Sequence, residues 1–185
     1  MGIALSQNLK KIEAIEFLQS GLAYTTEEET DLRLQMHILL GDLYHQQENH
    51  LLSDKNYSDA LKIQPSNALV LNNYAYYLGL RNQELDRALG MSRRALEIEP
   101  DNASYLDTYA WVLYAMGRYA DALEPMTKAL SLSPENATML DHYGDILYQN
   151  NQTEAAKAQW AKALQFDEGN LEIQSKLRSG LPIRP

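Results

Sequence analysis

Apolar residues recur at intervals of three and four along most of this 185-residue chain, the spacing of one face of an amphipathic helix. The runs come in pairs, and a polar break divides each pair: HQQENH, RNQEL, MGRY and QNNQT. Three pairs close on a proline, in ALKIQPSNA (Pro65), ALEIEPDNA (Pro100) and ALSLSPENA (Pro134). Proline cannot continue a helix and turns its predecessor away from helical angles. Asn67, Asp101 and Asn136, just beyond, suit the N-cap of the next helix. The pattern predicts helix, turn, helix, several times over, and no strand.

Two ladders share one period. Ala60, Ala95, Ala129 and Ala163 stand 35, 34 and 34 residues apart, and Leu40, Tyr74, Tyr109 and Tyr143 stand 34, 35 and 34 apart. Tyr74, Tyr109 and Tyr143 are therefore expected in the core. Small residues at Gly41, Ala75, Ala110 and Gly144 let the two helices of a repeat approach closely, and the alanine ladder does the same between repeats. Pro125 falls early in a second helix, where it should bend the helix more than break it.

These residues resemble the tetratricopeptide repeat family, whose pattern of Trp, Leu-Gly, Tyr, then Ala, Phe and Pro is met by His37, Leu40-Gly41, Tyr44, Ser53, Tyr57, Ala60 and Pro65. The last repeat meets it with Leu140, Tyr143-Gly144, Leu147, Ala156, Trp160 and Ala163, and puts Glu168 where proline would stand. The departures are the missing tryptophan, an extra residue near 81–85 and the missing last proline. The resemblance implies an all-α fold, a right-handed superhelical solenoid, with repeats at 34–67, 68–102, 103–136 and 137–170. Residues 1–33 form a half-repeat or capping helix, and 171–185 a polar capping helix with the tail LPIRP.

In the N-terminal segment, residues 8–23 read as a helix with Ile12, Ile15 and Leu18 on one face, left without a mate. Ala14, Leu18 and Gly21 fit the second helix of a repeat that lacks its first, so the chain reads either as a piece of a longer array or as an array with its own cap. Thr26 and Glu29 form a capping-box pattern that would start the next helix early.

The resemblance further implies a concave groove lined by the first helix of each repeat. Its lining would be Gln35, Ile38, Asp42 and His45; Leu69, Asn72, Tyr76 and Gly79; Ser104, Asp107, Trp111 and Tyr114; Thr138, Asp141, Asp145 and Tyr148. Asp42, Asn72, Tyr76, Asp107, Trp111, Tyr114, Asp141, Asp145 and Tyr148 are the candidate partner-binding residues. Four are aspartates and none is Lys or Arg, so the groove lacks the cations with which carboxylate-clamp members of the family hold an acidic chaperone tail. A neutral or basic partner segment is expected, with an apolar or aromatic anchor against Trp111. The plainer reading keeps Tyr76 and Tyr114 as packing between first helices and the aspartates as a solvated face.

Charge agrees with this. The net charge is −9, and only residues 171–185 are net basic, so no basic stripe offers itself to nucleic acid or to an anionic membrane. No apolar run is long enough to span a bilayer, and MGIALS matches a myristoylation acceptor only through Gly2 and Ser6. There is no cysteine. The histidines His45, His50 and His142 have no ligand set around them in sequence, so neither a metal nor a cofactor is expected. No catalytic constellation stands out, and the chain is not expected to be an enzyme. Two roles follow: a protein-interaction scaffold, or an assembly segment that self-associates or stacks through the N-terminal helix without a peptide ligand. Either suits a soluble protein of cytoplasm or bacterial envelope.

Overall fold

The computed structural model describes residues 2–181, with side chains from residue 9 onward, so the Gly2–Ser6 pattern and most of the LPIRP tail lie outside the described side chains. Among the described residues there are ten α-helices and no strand. They are α1 (Gly2–Tyr24), α2 (Thr30–Gln46), α3 (His50–Ile63), α4 (Ala68–Leu80), α5 (Leu85–Ile98), α6 (Ala103–Ala115), α7 (Tyr119–Leu132), α8 (Ala137–Gln149), α9 (Thr153–Phe166) and α10 (Leu171–Ser179). The chain divides into two compact units, residues 1–74 and 75–185, and α4 runs across the division.

In the first unit, Ile15 of α1 is 7% exposed and packs with Leu40 and Tyr44 of α2, flanked by Leu18, Leu22, Leu43 and Leu52. This corrects the expectation of an unmated Ile12–Ile15–Leu18 face: α2 covers Ile15 and half-covers Leu18, and Ile12 stays exposed. Tyr57 lies against Gly41, where an added Cβ would come within 2.8 Å of the ring, and stacks on the ring of Tyr74 at 5.4 Å. His37, at the position of the missing tryptophan, is buried and bonded through Nδ1 to Asn56 Oδ1 at 2.9 Å.

The second unit repeats the device. Trp160 of α9 is fully buried over Gly144 of α8, at the centre of a cluster of Leu140, Leu147, Ala156, Ala163 and Ile173. Where the small residue is Ala110, the position that holds Tyr57 and Trp160 holds Met126; where it is Ala75, the extra residue near 81–85 puts Ser92 there, and both are buried. Glycine goes with an aromatic ring and alanine with a smaller side chain, so the close approach is not overpacked. Of the three tyrosines expected in the core, Tyr74 is buried, whereas Tyr109 and Tyr143 are half-buried.

The turns within pairs are alike. Glu48, Asn82, Gly117 and Asn151 hold positive φ, and the following N–H groups close back on Tyr44, Leu78, Leu113 and Leu147 carbonyls at 2.9–3.0 Å. This is a Schellman closure, which satisfies orphan carbonyls at a helix end. The extra residue of the second repeat is absorbed by another left-handed residue, Glu84 (φ 45°). Between pairs, Asn67, Asn102, Asn136 and Asn170 cap the next helix by accepting from N–H groups two or three residues on. Asp101 is not the cap; its neighbour Asn102 is, and Asp101 meets Lys128 Nζ at 2.7 Å. The Thr26–Glu29 pattern forms only half its box. Glu29 accepts from the Thr26 N–H at 2.8 Å, but α2 starts at Thr30. Pro125 stands in the second turn of an unbroken α7 rather than the first.

Two substitutions test this account. Gly144→Ala drives a Cβ into the Trp160 indole at Nε1 and is expected to cost about 1–3 kcal/mol or more. Glu48→Gly relieves a left-handed side chain and is expected to stabilise by about 1 kcal/mol. Urea-unfolding midpoints measure both.

Candidate functional site

A turn of helix separates Asp141 from Asp145, so α8 presents both carboxylates on one face. Asp145 is buried: its Oδ1 accepts from Trp160 Nε1 at 3.0 Å and its Oδ2 from Lys176 Nζ at 3.0 Å. The same ammonium donates to Asp141 Oδ1 and Oδ2 at 3.0 and 2.9 Å, and Glu172 stands 3.4 Å away. Lys176 belongs to α10 and is only 6% exposed. One first helix back, Asp107 of α6 is buried and bonded through Oδ1 to His142 Nδ1 at 2.8 Å.

Beside this charged network runs an aromatic one. Trp111 stacks on Tyr114 (4.8 Å, 20°) and on His142 (4.1 Å, 24°) and is half-buried. Its Nε1 is buried and has no acceptor among the described residues. A cleft of about 310 Å³ opens here, walled by Leu80, Trp111, Asp141, Gln149, Glu172 and Leu181.

Burial and charge tune the titrating groups. Burial opposes a charge on His142, but Asp107, with Asp141 and Asp145 behind it, outweighs burial and holds the imidazole above its ordinary pKa. Burial pushes the Asp145 carboxyl up to about 6, against the pull of Lys176. Burial works against the Lys176 ammonium too, yet Asp145 and Asp141 raise its pKa. Tyr76 is pushed up to about 12, first by burial and then by the charges of Asp107 and Asp141, so its hydroxyl keeps its proton.

The second unit gathers Tyr76, Asp107, Trp111, Tyr114, Asp141, Asp145 and Tyr148 among the candidate residues; Asp42 and Asn72 lie in the first. Within that group the geometry corrects several expectations. Tyr114 is 2% exposed, stacked on Trp111 and tilted against Tyr119, so it supports the cleft instead of offering itself to a partner. Tyr148 is half-buried against Trp160, and Gly180 passes so close that a Cβ there would run into its hydroxyl. None of the four aspartates forms a free solvated face: Asp42 accepts from the Tyr57 hydroxyl, Asp107 is held by His142, and Asp141 and Asp145 share Lys176. Asn72 is buried and donates to Asn73 Oδ1 at 3.3 Å.

Sequence reasoning missed Lys176, which lies in the segment read as a polar cap, along with Glu172 and Gln149. A signal was present in the spacing. Asp107 to His142 and Asp141 to Lys176 are both steps of 35, and each pair is 34 residues from the other. An aspartate on one first helix thus takes a cationic partner at the next residue of the following one. Among the described residues no group of three His, Cys, Asp or Glu side chains could hold a metal ion.

The sign of the His142 shift gives a stability test. The folded pKa lies above the unfolded value of 6.5, so the contribution is complete below 6.5 and is lost as pH rises through the folded value. Wild type is expected to lose more stability than His142→Gln between pH 6 and 8. In an NMR titration, Asp107→Asn should lower the His142 pKa.

Comparison with known proteins gives the framework for this geometry. A family profile described as tetratricopeptide repeat matches residues 3–167. No curated protein matches the chain. Among solved structures, a thermophilic TPR protein of Thermus thermophilus is similar at TM-score 0.72 and 17% identity, covering 97% of this chain and 94% of that one. MamA (41-end) from Desulfovibrio magneticus RS-1 is similar at TM-score 0.68 and 17% identity, over 87% and 88% of the two chains. The first TPR of Spaghetti (RPAP3), bound to the HSP90 peptide SRMEEVD, is similar at TM-score 0.56 and 20% identity, covering 60% of this chain and 87% of its own. With paired helices from α2 to α9, glycine or alanine at each close approach, and a profile match over most of its length, this chain belongs to the tetratricopeptide repeat family, with its all-α, solenoid-class fold.

Proposed function

We propose that the chain is a non-catalytic protein-interaction scaffold whose second compact unit binds a neutral or basic polypeptide segment in the cleft beside Trp111. The observation that carries this reading is the composition of the cleft walls. They combine the Trp111 indole and the aliphatic Leu80 and Leu181 with three carboxylates, Asp141, Asp145 and Glu172. The nearest cation, Lys176, is already held by all three of those carboxylates. A segment with an apolar anchor and a positive or neutral flank meets both kinds of wall. The peptide SRMEEVD, seen on the RPAP3 repeat, is rich in carboxylates. An acidic tail of that sort would find no unengaged cation on these walls, so such a tail is disfavoured.

Supporting residues have assigned parts in this reading. Trp111 supplies the anchor surface, Asp141 and Glu172 the counter-charge, and Tyr76, Asp107 and Tyr114 the frame that fixes the indole. Fluorescence anisotropy against a peptide array is the test. Basic and neutral peptides with an aromatic or aliphatic anchor should bind, and Trp111→Ala should weaken the best of them at least about tenfold. A preference for acidic peptides would overturn the proposal.

A second reading rests on the first unit. Phe17 is 75% exposed and Leu39 50%, and with Ala14, Leu18 and Leu43 they line an apolar groove of about 400 Å³ between α1 and α2. Such a surface supports assembly, either with a second copy or within a longer array. Because Ile15 is core, Phe17→Asp is the informative change. Concentration-dependent dimers in sedimentation that disappear with Phe17→Asp support this role, and a monomer at all concentrations rejects self-association.

A further inference from the structure

We infer that Asp141 and Asp145 form a lysine-reading site, that α10 fills it as an internal occupant, and that a partner helix with an aliphatic residue three positions before a lysine displaces α10. Only the last clause rests on the scaffold reading, and in it the partner helix takes the place of α10 and its Glu172 as one wall of the cleft, leaving Trp111 and Asp141 as the other. The occupancy of the site by α10 does not rest on that reading.

The geometry selects an ammonium. Lys176 Nζ has three donors, and three oxygens converge on it at 2.9–3.0 Å: both of Asp141 and Oδ2 of Asp145. Trp160 Nε1 holds Asp145 Oδ1, which fixes the direction of the remaining oxygen. A guanidinium carries its donors on a rigid planar fork and cannot bring three of them to one point. The site therefore discriminates lysine from arginine by shape and not merely by charge.

The same geometry makes α10 a replaceable occupant. The helix has nine residues, a length that is marginal without tertiary support. Its buried residues are Ile173 and Lys176, with Leu177 half-buried, while Leu171, Ser175 and Arg178 stay exposed. Ile173 enters the cluster around Trp160, so recognition is an aliphatic group in the core and an ammonium one turn later. Releasing Lys176 leaves buried Asp145 without its counter-charge, a costly state that favours replacement by another cation. The following element of this protein thus shows the chemistry that a competing helix must carry.

The experiment uses the full chain and a dye-labelled synthetic peptide of residues 170–181. By anisotropy, the peptide should bind Lys176→Ala at least about tenfold more tightly than wild type, whose site is filled. A peptide with arginine at the position of Lys176 should bind Lys176→Ala at least about tenfold more weakly, and Asp141→Asn added to Lys176→Ala should abolish binding. Hydrogen exchange supplies a second readout: amides of α10 should exchange faster in both Lys176→Ala and Lys176→Arg, with α9 unchanged. Lys176→Arg keeps the net charge and carries the test should Lys176→Ala lose its helical circular dichroism. Equal peptide binding by wild type and Lys176→Ala, arginine serving as well as lysine, or unchanged α10 exchange would overturn the inference. If the α10 peptide binds with lysine selectivity while no peptide of the array binds, the occupancy stands and the scaffold reading falls. If array peptides bind wild type and Lys176→Ala alike, displacement falls and the scaffold reading stands.

Discussion

A buried indole N–H needs an acceptor, and much of the second unit follows from how Trp160 obtains one. The ring fills the space left by Gly144, so its nitrogen comes to rest against α8 and away from water. Asp145 accepts from it. A carboxylate buried for that purpose is itself costly unless paired, and Lys176 supplies the charge from α10. Asp141 completes the ammonium's coordination. One close approach between two helices thereby obliges a third helix to dock.

The pattern of an aspartate reaching to the next first helix occurs twice, with different consequences. At Asp107 the partner is His142, whose ring is also the stacking surface for Trp111. At Asp141 the partner is the flexible stem of a lysine, which leaves room for a cleft beside it. The rigid pair builds the wall and the flexible pair closes one end. Trp111 differs from Trp160 in the same sense: its nitrogen is buried without an acceptor among the described residues, and stacking holds its ring. Fixed aromatic frames of this kind limit the freedom a cleft residue must lose on binding.

Electrostatics read from residue types alone misjudged this surface. Four aspartates at groove positions suggest a free acidic face, yet each is engaged with a hydroxyl, an imidazole or an ammonium. What stays acidic is the balance around the cleft, where three carboxylates stand about one lysine. Asn102 replacing Asp101 as a cap is a smaller case, in which neighbours of nearly equal aptitude competed.

Paired helices, their period, the small residues at close approaches and the family were legible in the sequence, because each rests on periodicity or on a residue's own backbone and size constraints. Ala60, Gly144 and Pro100 carry that information wherever the chain goes. The burial of Tyr114, the covering of Ile15 and the capture of Asp145 by Trp160 and Lys176 were decided only by tertiary structure. Side chains 15 to 35 residues apart meet through the angles at which helices stack, and those angles depend on the volumes of all the residues between them.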